Sequence, residues 1–406
     1  SRTYDPLVAL AAYYANGQSA EGLGRDIFDA DPDRIARETA ALAEKVVDNP
    51  FEGGHNMAGY GLASVEYGWG KGGTGMWMYY GRNGGHGHLD RLNIDVYYRG
   101  LCMMPDLGYP EYATSWPQRN YFTNNTISHN TVIVDQLPQA VNWVGHPELF
   151  CQFANFGAVR VDSREVYAGV QRYQRTAAFV RVGEGQGYVV DFFRIKGGKD
   201  HLYVLHGPPG EVTTEGLELT AQEGGSYAGA DVAFRTQTPK GAGYGYSWIT
   251  NVERDPSPGS AFAVDWKAQD GYRGVTAEEN THLRYHCLTE VADVALGDGE
   301  PPQNKPGNPR WLRYLLAHRS GEELQSTFAG VIEPYSVDPV VASAERLAIT
   351  GAPEDAQAAA VRITLAAGTV DYIVSSADDE AVVSSEGGPT FSGGIGGLRV
   401  REGQVV

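Results

Sequence analysis

The sequence predicts a mainly β protein: a large antiparallel β-sandwich with short N-terminal helices and a small C-terminal β domain. Three observations lead there. From about residue 67 onward apolar residues recur with a period of two, the pattern of half-buried strands. Glycine and tyrosine are abundant, at 52 and 24 residues, while only 20% of the 406 residues are charged, a mixture that favours short strands joined by tight turns. No helical period interrupts the strand pattern, so the crossover helices that parallel strands need are missing and the sheets should be antiparallel.

In chain order, residues 1–65 form a helical segment. Residues 6–16 (PLVALAAYYAN) are a short apolar helix, and Asp31-Pro32-Asp33 caps and opens a second helix running through Ile35 to Val47. Two such helices cannot bury their apolar faces on each other alone, so they should pack on the β region. Residues 66–335 hold the main sandwich. Its strands are expected at 75–80, 92–98, 131–135, 158–162, 177–182, 188–195 and 201–205, then at 247–250, 261–266, 282–288 and 311–318. The turn-rich 297–308 (GDGEPPQNKPGN) is a surface loop between the last two. Residues 336–406 are the small closing domain, with strands at 359–365 and 370–375 and a glycine-rich loop at 387–397.

Composition narrows the partners. A net charge of -18, from 50 acidic against 32 basic residues, disfavours nucleic acid and repels a highly sulfated polymer at long range. A locally basic cleft still suits a weaker polyanion. Cys102, Cys151 and Cys287 are too few and too far apart for a disulfide framework or a CxxC knuckle, and are expected to be small buried apolar residues. No apolar run approaches the roughly 18 residues that span a bilayer, so no membrane partner is expected. The start at Ser1, without a signal peptide, fits a mature or trimmed protein.

Chemistry concentrates between Tyr79 and Gln139. His86 and His88 lie one residue apart, and on an extended strand residues i and i+2 face the same way. Both rings could then enter one site, with flanking glycines leaving the backbone open to close approach. His88, Asp106 and His129 offer two imidazoles and a carboxylate, a donor set that suits zinc; satisfied polar residues on a sheet face are the competing reading. Tyr109, Tyr112 and Tyr121 fall between the aspartate and the last histidine, with Arg119 and Asn120 beside Tyr121. A phenol near a cation can exchange protons with a substrate. Arg91, just after the histidine pair, is a candidate for substrate contact. Arg172, Arg175 and Arg181 read as a solvated sheet face, and His201 and His206, at an odd interval, should point to opposite faces.

The pieces NGGHGHLD (83–90), PDLG (105–108), RNYF (119–122) and SHNTVIVD (128–135), with Gln139 after them, resemble the β-sandwich portion of the heparinase II/III-like polysaccharide lyases. HLYVLHGPPG (201–210) and the stretch 311–335 agree, so the resemblance runs over residues 66–335. It implies that His88, Asp106 and His129 hold a structural Zn2+ beneath the cleft. It also implies that His86 faces the substrate and that Tyr121, or alternatively Tyr112, reaches the cleft as acid or base. Asn83, Arg91 and Tyr112 are the candidate substrate contacts. The implied reaction is β-elimination at a 4-linked uronic acid in an acidic polysaccharide or oligosaccharide. Alginate-like or weakly sulfated chains fit the -18 charge better than heparin. A periplasmic or secreted location goes with it.

One departure from the family pattern matters. Family members carry a helical toroid before the sandwich, which supplies an Asn-His pair and a tyrosine to the cleft; residues 1–65 match none of these groups. The expectations are therefore a toroid removed or on another polypeptide, or a non-catalytic glycan-binding relative. A cupin-like metal oxygenase or isomerase also places HxH on a strand, but Asp90 and Asp95 stand where its glutamate should follow.

Overall fold

The computed structural model describes residues 5–25, 30–46, 53–68, 72–109 and 116–406. Helix α1 (Pro6–Ala15) starts where the sequence places it. Pro6 opens the first turn, and the Asp5 carboxylate accepts the N–H of Leu7 at 2.9 Å, satisfying a donor that has no partner within the helix. Helix α2 (Arg34–Ala43) packs on α1. Asp33 is its N-cap residue but makes no side-chain cap bond, and the expected end at Val47 lies outside the described residues.

Strands begin earlier than expected. β1 (Asn56–Met57), β2 (Leu62–Tyr67), β3 (Thr74–Tyr79), β4 (Asn93–Tyr98) and β5 (Leu101–Cys102) form a five-stranded sheet in that order, so β2 already crosses residue 65. Then come β6 (Val132–Val134), β7 (His146–Gln152), β8 (Phe156–Asp162), β9 (Arg172–Gly183), β10 (Gln186–Lys196), β11 (Asp200–His206) and β12 (Gly210–Glu215). They are followed by β13 (Thr220–Ala221), β14 (Ile249–Asp255), β15 (Phe262–Ala268), β16 (Thr281–Cys287), β17 (Asp293–Gly299), β18 (Leu312–Ser320) and β19 (Gln325–Ser336). An eight-stranded sheet runs β12-β15-β16-β19-β10-β9-β8-β7, and a six-stranded sheet runs β13-β14-β17-β18-β11-β6. Every named pairing is antiparallel.

Period two explains the layering. On β10, Val189, Phe193 and Ile195 enter a core shared with Val65 and Met78 of the first sheet and with Leu296 and Leu315 of the six-stranded sheet. The alternate residues Tyr188, Val190 and Phe192 enter a different core with Val361 and Ile373 from the C-terminal end. Both faces of β10 are therefore dry, and each such apolar side chain contributes roughly 1.5–3 kcal/mol by burial. The far face of the six-stranded sheet is also covered: Ile133, Val204, Leu312 and Tyr314 pack with Leu107, Phe122 and Ile127. Those covering residues, Leu107, Phe122 and Ile127, lie close in the chain to Asp106 and His129 of the candidate site.

Two expectations change here. Arg175 is not on a solvated face: it is fully buried and makes a paired contact with Asp191, Nε and Nη2 each at 2.8 Å from a carboxylate oxygen. Its position on β9 faces the core, and a buried guanidinium requires such a partner. The glycine-rich 387–397 is not a loop either. The C-terminal strands are β20 (Val341–Leu347), β21 (Ile349–Gly351), β22 (Ala359–Leu365), β23 (Val370–Ser375), β24 (Val382–Ser385), β25 (Thr390–Ser392), β26 (Ile395–Arg401) and β27 (Gln404–Val405). β26 pairs Gly396 with Val374 and Gly397 with Ile373. A Cβ at Gly396 would meet the Phe391 ring at 2.1 Å, so glycine marks a crowded strand rather than a flexible one.

The C-terminal sheets are tied down by buried arginines. Arg194 donates to the Gln357 carbonyl and to Ser375 Oγ, each at 2.9 Å, and Arg160 donates to Asp379 at 2.9 Å. Of the cysteines, Cys287 is buried and Cys102 and Cys151 are half-buried, all as free thiols. His201 and His206 do face opposite sides of β11. His201 bonds Ser326 and Gly197, His206 packs on Tyr314, and burial pushes both imidazoles down to about 4.

Candidate metal centre and active-site face

The connection from β3 to β4 carries the histidine pair, and it is a turn rather than a strand. Gly85 takes φ +71°, a conformation open to glycine at little cost, and a Cβ on Gly84 would fall 2.5 Å from Val141. The turn breaks the i, i+2 relation expected of an extended segment, so His86 is exposed while the His88 ring points inward, its side chain 11% exposed. Asn124 clamps the turn by donating to the Gly87 carbonyl and accepting the Leu89 N–H on its own carbonyl, both at 2.9 Å.

Asp106 sits in its own turn, where one carboxylate oxygen accepts the Gly108 N–H at 2.7 Å. The other oxygen lies 3.2 Å from His88 Nδ1 and 3.4 Å from His129 Nδ1. His129 ends a 3-10 turn, Thr126–Ser128, and its neighbour Asn130 staples β4 to β11. Asn130 donates to Asn93 Oδ1 and the Ile94 carbonyl and accepts the His206 N–H at 2.9 Å. The fold thus brings the three expected ligands into one place and adds a fourth group. Ligand atoms of His88, Asp90, Asp106 and His129 all lie within 4.8 Å of one another.

Electrostatics mark this cluster as unfinished. Burial pushes the Asp90 carboxyl up to about 6. Burial also works against ionised Asp106, but the hydrogen bonds from His129 and His88 outweigh it and hold the carboxyl well below its usual range. For His88, burial opposes the charged ring, while Asp106 and Asp90 raise its pKa overall. His129 Nε2 and Asp90 Oδ1 are buried with no hydrogen-bond partner among the described residues, and each such orphan costs about 1–3 kcal/mol. A cation among the four residues would offset the charge of the carboxylates and take up unmet bonding capacity. Two nitrogens and two oxygens form a donor set that fits a borderline metal.

In the same two turns, His86 Nδ1 lies 3.3 Å from the Tyr109 hydroxyl, and the Arg119 guanidinium stands 4.9 Å from the Tyr109 ring centre. Tyr121 is placed differently. It is half-buried in the π-helical turn Arg119–Thr123 and donates to the Thr238 carbonyl at 2.9 Å. Its ring lies between Tyr244 and Trp248. Asn83 and Arg91 are fully buried. Asn83 donates to the Ala140 carbonyl, while Gln139 accepts the Arg91 N–H and donates to its carbonyl. They form the wall behind the site and present no surface to a substrate. Tyr112 lies outside the described residues.

Sequence reasoning passed over two neighbours. Asp90 follows His88 by two residues, as His88 follows His86, and that spacing was a usable signal. Nothing local singled out Tyr109 from the other phenols.

Residues 76–182 match the family model described as heparinase II/III-like, C-terminal. That stretch is similar to the C-terminal domain of the heparinase II/III-like family. An alginate lyase of Stenotrophomonas maltophilia (strain K279a) is 26% identical over 277 residues, 62% of this chain and 33% of that protein. A mutant heparan sulfate lyase of Pedobacter heparinus superposes with a TM-score of 0.56 at 12% identity, over 94% of this chain and 48% of that one. A structure named heparinase III gives 0.53 at 14% identity, over 80% and 43%. At these identities the structures establish a shared fold. The chain spans a third of the alginate lyase and less than half of these solved relatives.

Proposed function

We propose that this chain is the sandwich portion of a polysaccharide lyase that cleaves a 4-linked uronic-acid glycan by β-elimination. The observation that carries the reading is the exposed His86–Tyr109 pair, whose members stand two and three residues along the chain from His88 and Asp106 of the four-residue cluster. β-Elimination needs the uronate carboxylate neutralised, the C5 proton removed and the departing O4 protonated. A histidine and a phenol in contact can meet the last two demands, each proton-transfer group being worth roughly 10²–10⁴-fold. Hydrogen-bond donors aimed at the developing enolate-like charge supply the first.

His86 and Tyr109 are the proton-handling groups in this reading. Tyr121, its hydroxyl committed to Thr238, serves to hold the turn that carries Arg119. His88, Asp106 and His129, with Asp90, would hold Zn2+, which in such a four-donor site would supply structural rigidity and charge balance. The preferred substrate class is an alginate-like or weakly sulfated glycan, consistent with the -18 charge and with the named alginate lyase relative. A periplasmic or secreted setting suits such a polymer.

The test is the appearance of unsaturated uronate from oligouronates, using the full-length protein together with any helical domain it works with. His86→Ala and Tyr109→Phe should each reduce turnover by roughly 100-fold or more while metal content stays constant. Undiminished product from both variants would sink the assignment.

A further inference from the structure

Loops 231–248 and 300–311 bring together a second group of side chains that the lyase reading does not use. Arg235 and Arg310 both pair with the single carboxylate of Glu300. Glu300 is only 3% exposed, whereas the arginine side chains are 46% and 63% exposed. Two cations on one buried anion leave a net positive spot on a chain of charge -18. A guanidinium carries five N–H donors, so one shared carboxylate cannot saturate the pair.

Aromatic rings flank both cations. Arg235 lies 5.1 Å from the Phe234 ring centre and 5.6 Å from that of Trp248, and Arg310 lies 5.0 Å from Trp311. Phe234 and Trp311 are themselves 6.0 Å apart. Arg235 holds a left-handed backbone, φ +65°, which is costly for a residue with a Cβ and recurs at ligand sites. Its N–H is pinned to the Ser247 carbonyl at 2.8 Å. Rings beside guanidinium donors suit a sugar that carries a carboxylate: the apolar face of the sugar stacks and the anion is bonded.

The group is continuous with the active-site face. Gln118 donates to the Glu300 carbonyl at 2.9 Å, Asn304 donates to the Tyr109 carbonyl at 3.2 Å, and Tyr121 stacks on Trp248. We propose that Arg235 and Arg310, held by Glu300 and flanked by Phe234 and Trp311, form a subsite for a uronate residue of the glycan away from the scissile bond. The proposal rests on the uronate reading above and deepens it: substrate length and carboxylate recognition are set here rather than at the reacting sugar.

Isothermal titration of the full 406-residue chain with a 4-linked tetrauronate and with its carboxyl-reduced counterpart tests it. Arg310→Gln and the double variant Arg235→Gln/Arg310→Gln should weaken tetrauronate binding about tenfold or more. Both should leave the weaker binding of the reduced, neutral tetrasaccharide unchanged. Trp311→Ala should weaken both ligands, because it removes a ring and no charge. Arg310 is exposed enough that its single variant is informative even if the double variant is unstable. Wild-type-like tetrauronate affinity in Arg310→Gln and in the double variant would overturn the subsite and leave the lyase reading standing. A wild-type chain that binds neither ligand would overturn both.

Discussion

The cluster at His88, Asp90, Asp106 and His129 and the ladder at Asp200, His318 and Asp293 use the same side-chain types to opposite ends. In the ladder, three neighbouring strands of one sheet line up a single ring. His318 Nδ1 is 2.7 Å from Asp293 and Nε2 is 2.8 Å from Asp200. Each nitrogen has its own carboxylate, so the ring is a doubly bonded imidazolium, and those two hydrogen bonds raise its pKa to about 9. In the cluster, two rings share one oxygen of Asp106, and a buried nitrogen and a buried oxygen are left over. Asp200 Oδ1 is also unpartnered, but among the described residues Asp200 belongs to no group of three or more candidate metal ligands. Convergence with unmet bonding capacity, rather than the presence of His and Asp, separates a candidate metal centre from a sheet cross-link.

The two sites should differ most in their response to loss of Asp106. Asp106→Ala removes the oxygen that both rings share and should lower metal retention by at least roughly 100-fold, read by elemental mass spectrometry. His318→Ala should keep the full metal complement. Equal loss in the two variants, or none in either, would erase the distinction drawn here.

The ladder has its own signature. His318→Ala leaves Asp200 and Asp293 facing each other without a cation and should cost about 2–3 kcal/mol in chemical denaturation, toward the low side for a buried pair because the ladder is partly exposed. The pH dependence has a definite sign. The folded state binds the His318 proton more tightly than the unfolded chain, whose histidine titrates near about 6.5. The ladder's contribution is therefore complete below that pH and is lost as pH rises through about 9. Melting temperatures taken from about pH 6 to about 10 should fall in the wild type and flatten in His318→Gln.

Smaller effects sharpen the contrast. Asp90→Asn keeps the shape but removes a charge, and should weaken metal binding about tenfold without affecting the pH profile of the ladder. Gln136→Ala deletes one hydrogen bond to Asp200 and should cost about 1 kcal/mol or less.

Much of the architecture was legible because strand periodicity is local. β22 and β23 fall at residues 359–365 and 370–375 as expected, and β9 and β10 differ from expectation by longer ends, whereas β7, β12 and β19 of the same sheet are not among the expected strands. The glycine-rich 387–397 has the composition of a loop but holds strand at Thr390–Ser392 and from Ile395 onward. The reason Gly396 must be glycine is the Phe391 ring beside it, which no local pattern reveals. Arg175 was misjudged for the same kind of reason: its partner Asp191 lies on the next strand.

By itself, the sequence determined the β class, the order of strands and the short list of titratable residues between Tyr79 and Gln139, because alternation and composition are properties of neighbouring residues. Tertiary structure alone decided how those residues are used. A positive-φ glycine turned His86 outward and left His88 facing inward, and burial took Asn83 and Arg91 out of reach. Loops far apart in the chain set Arg235 and Arg310 around Glu300. Side-chain direction and desolvation depend on what packs against a residue, and here those contacts are made by segments tens to hundreds of residues away.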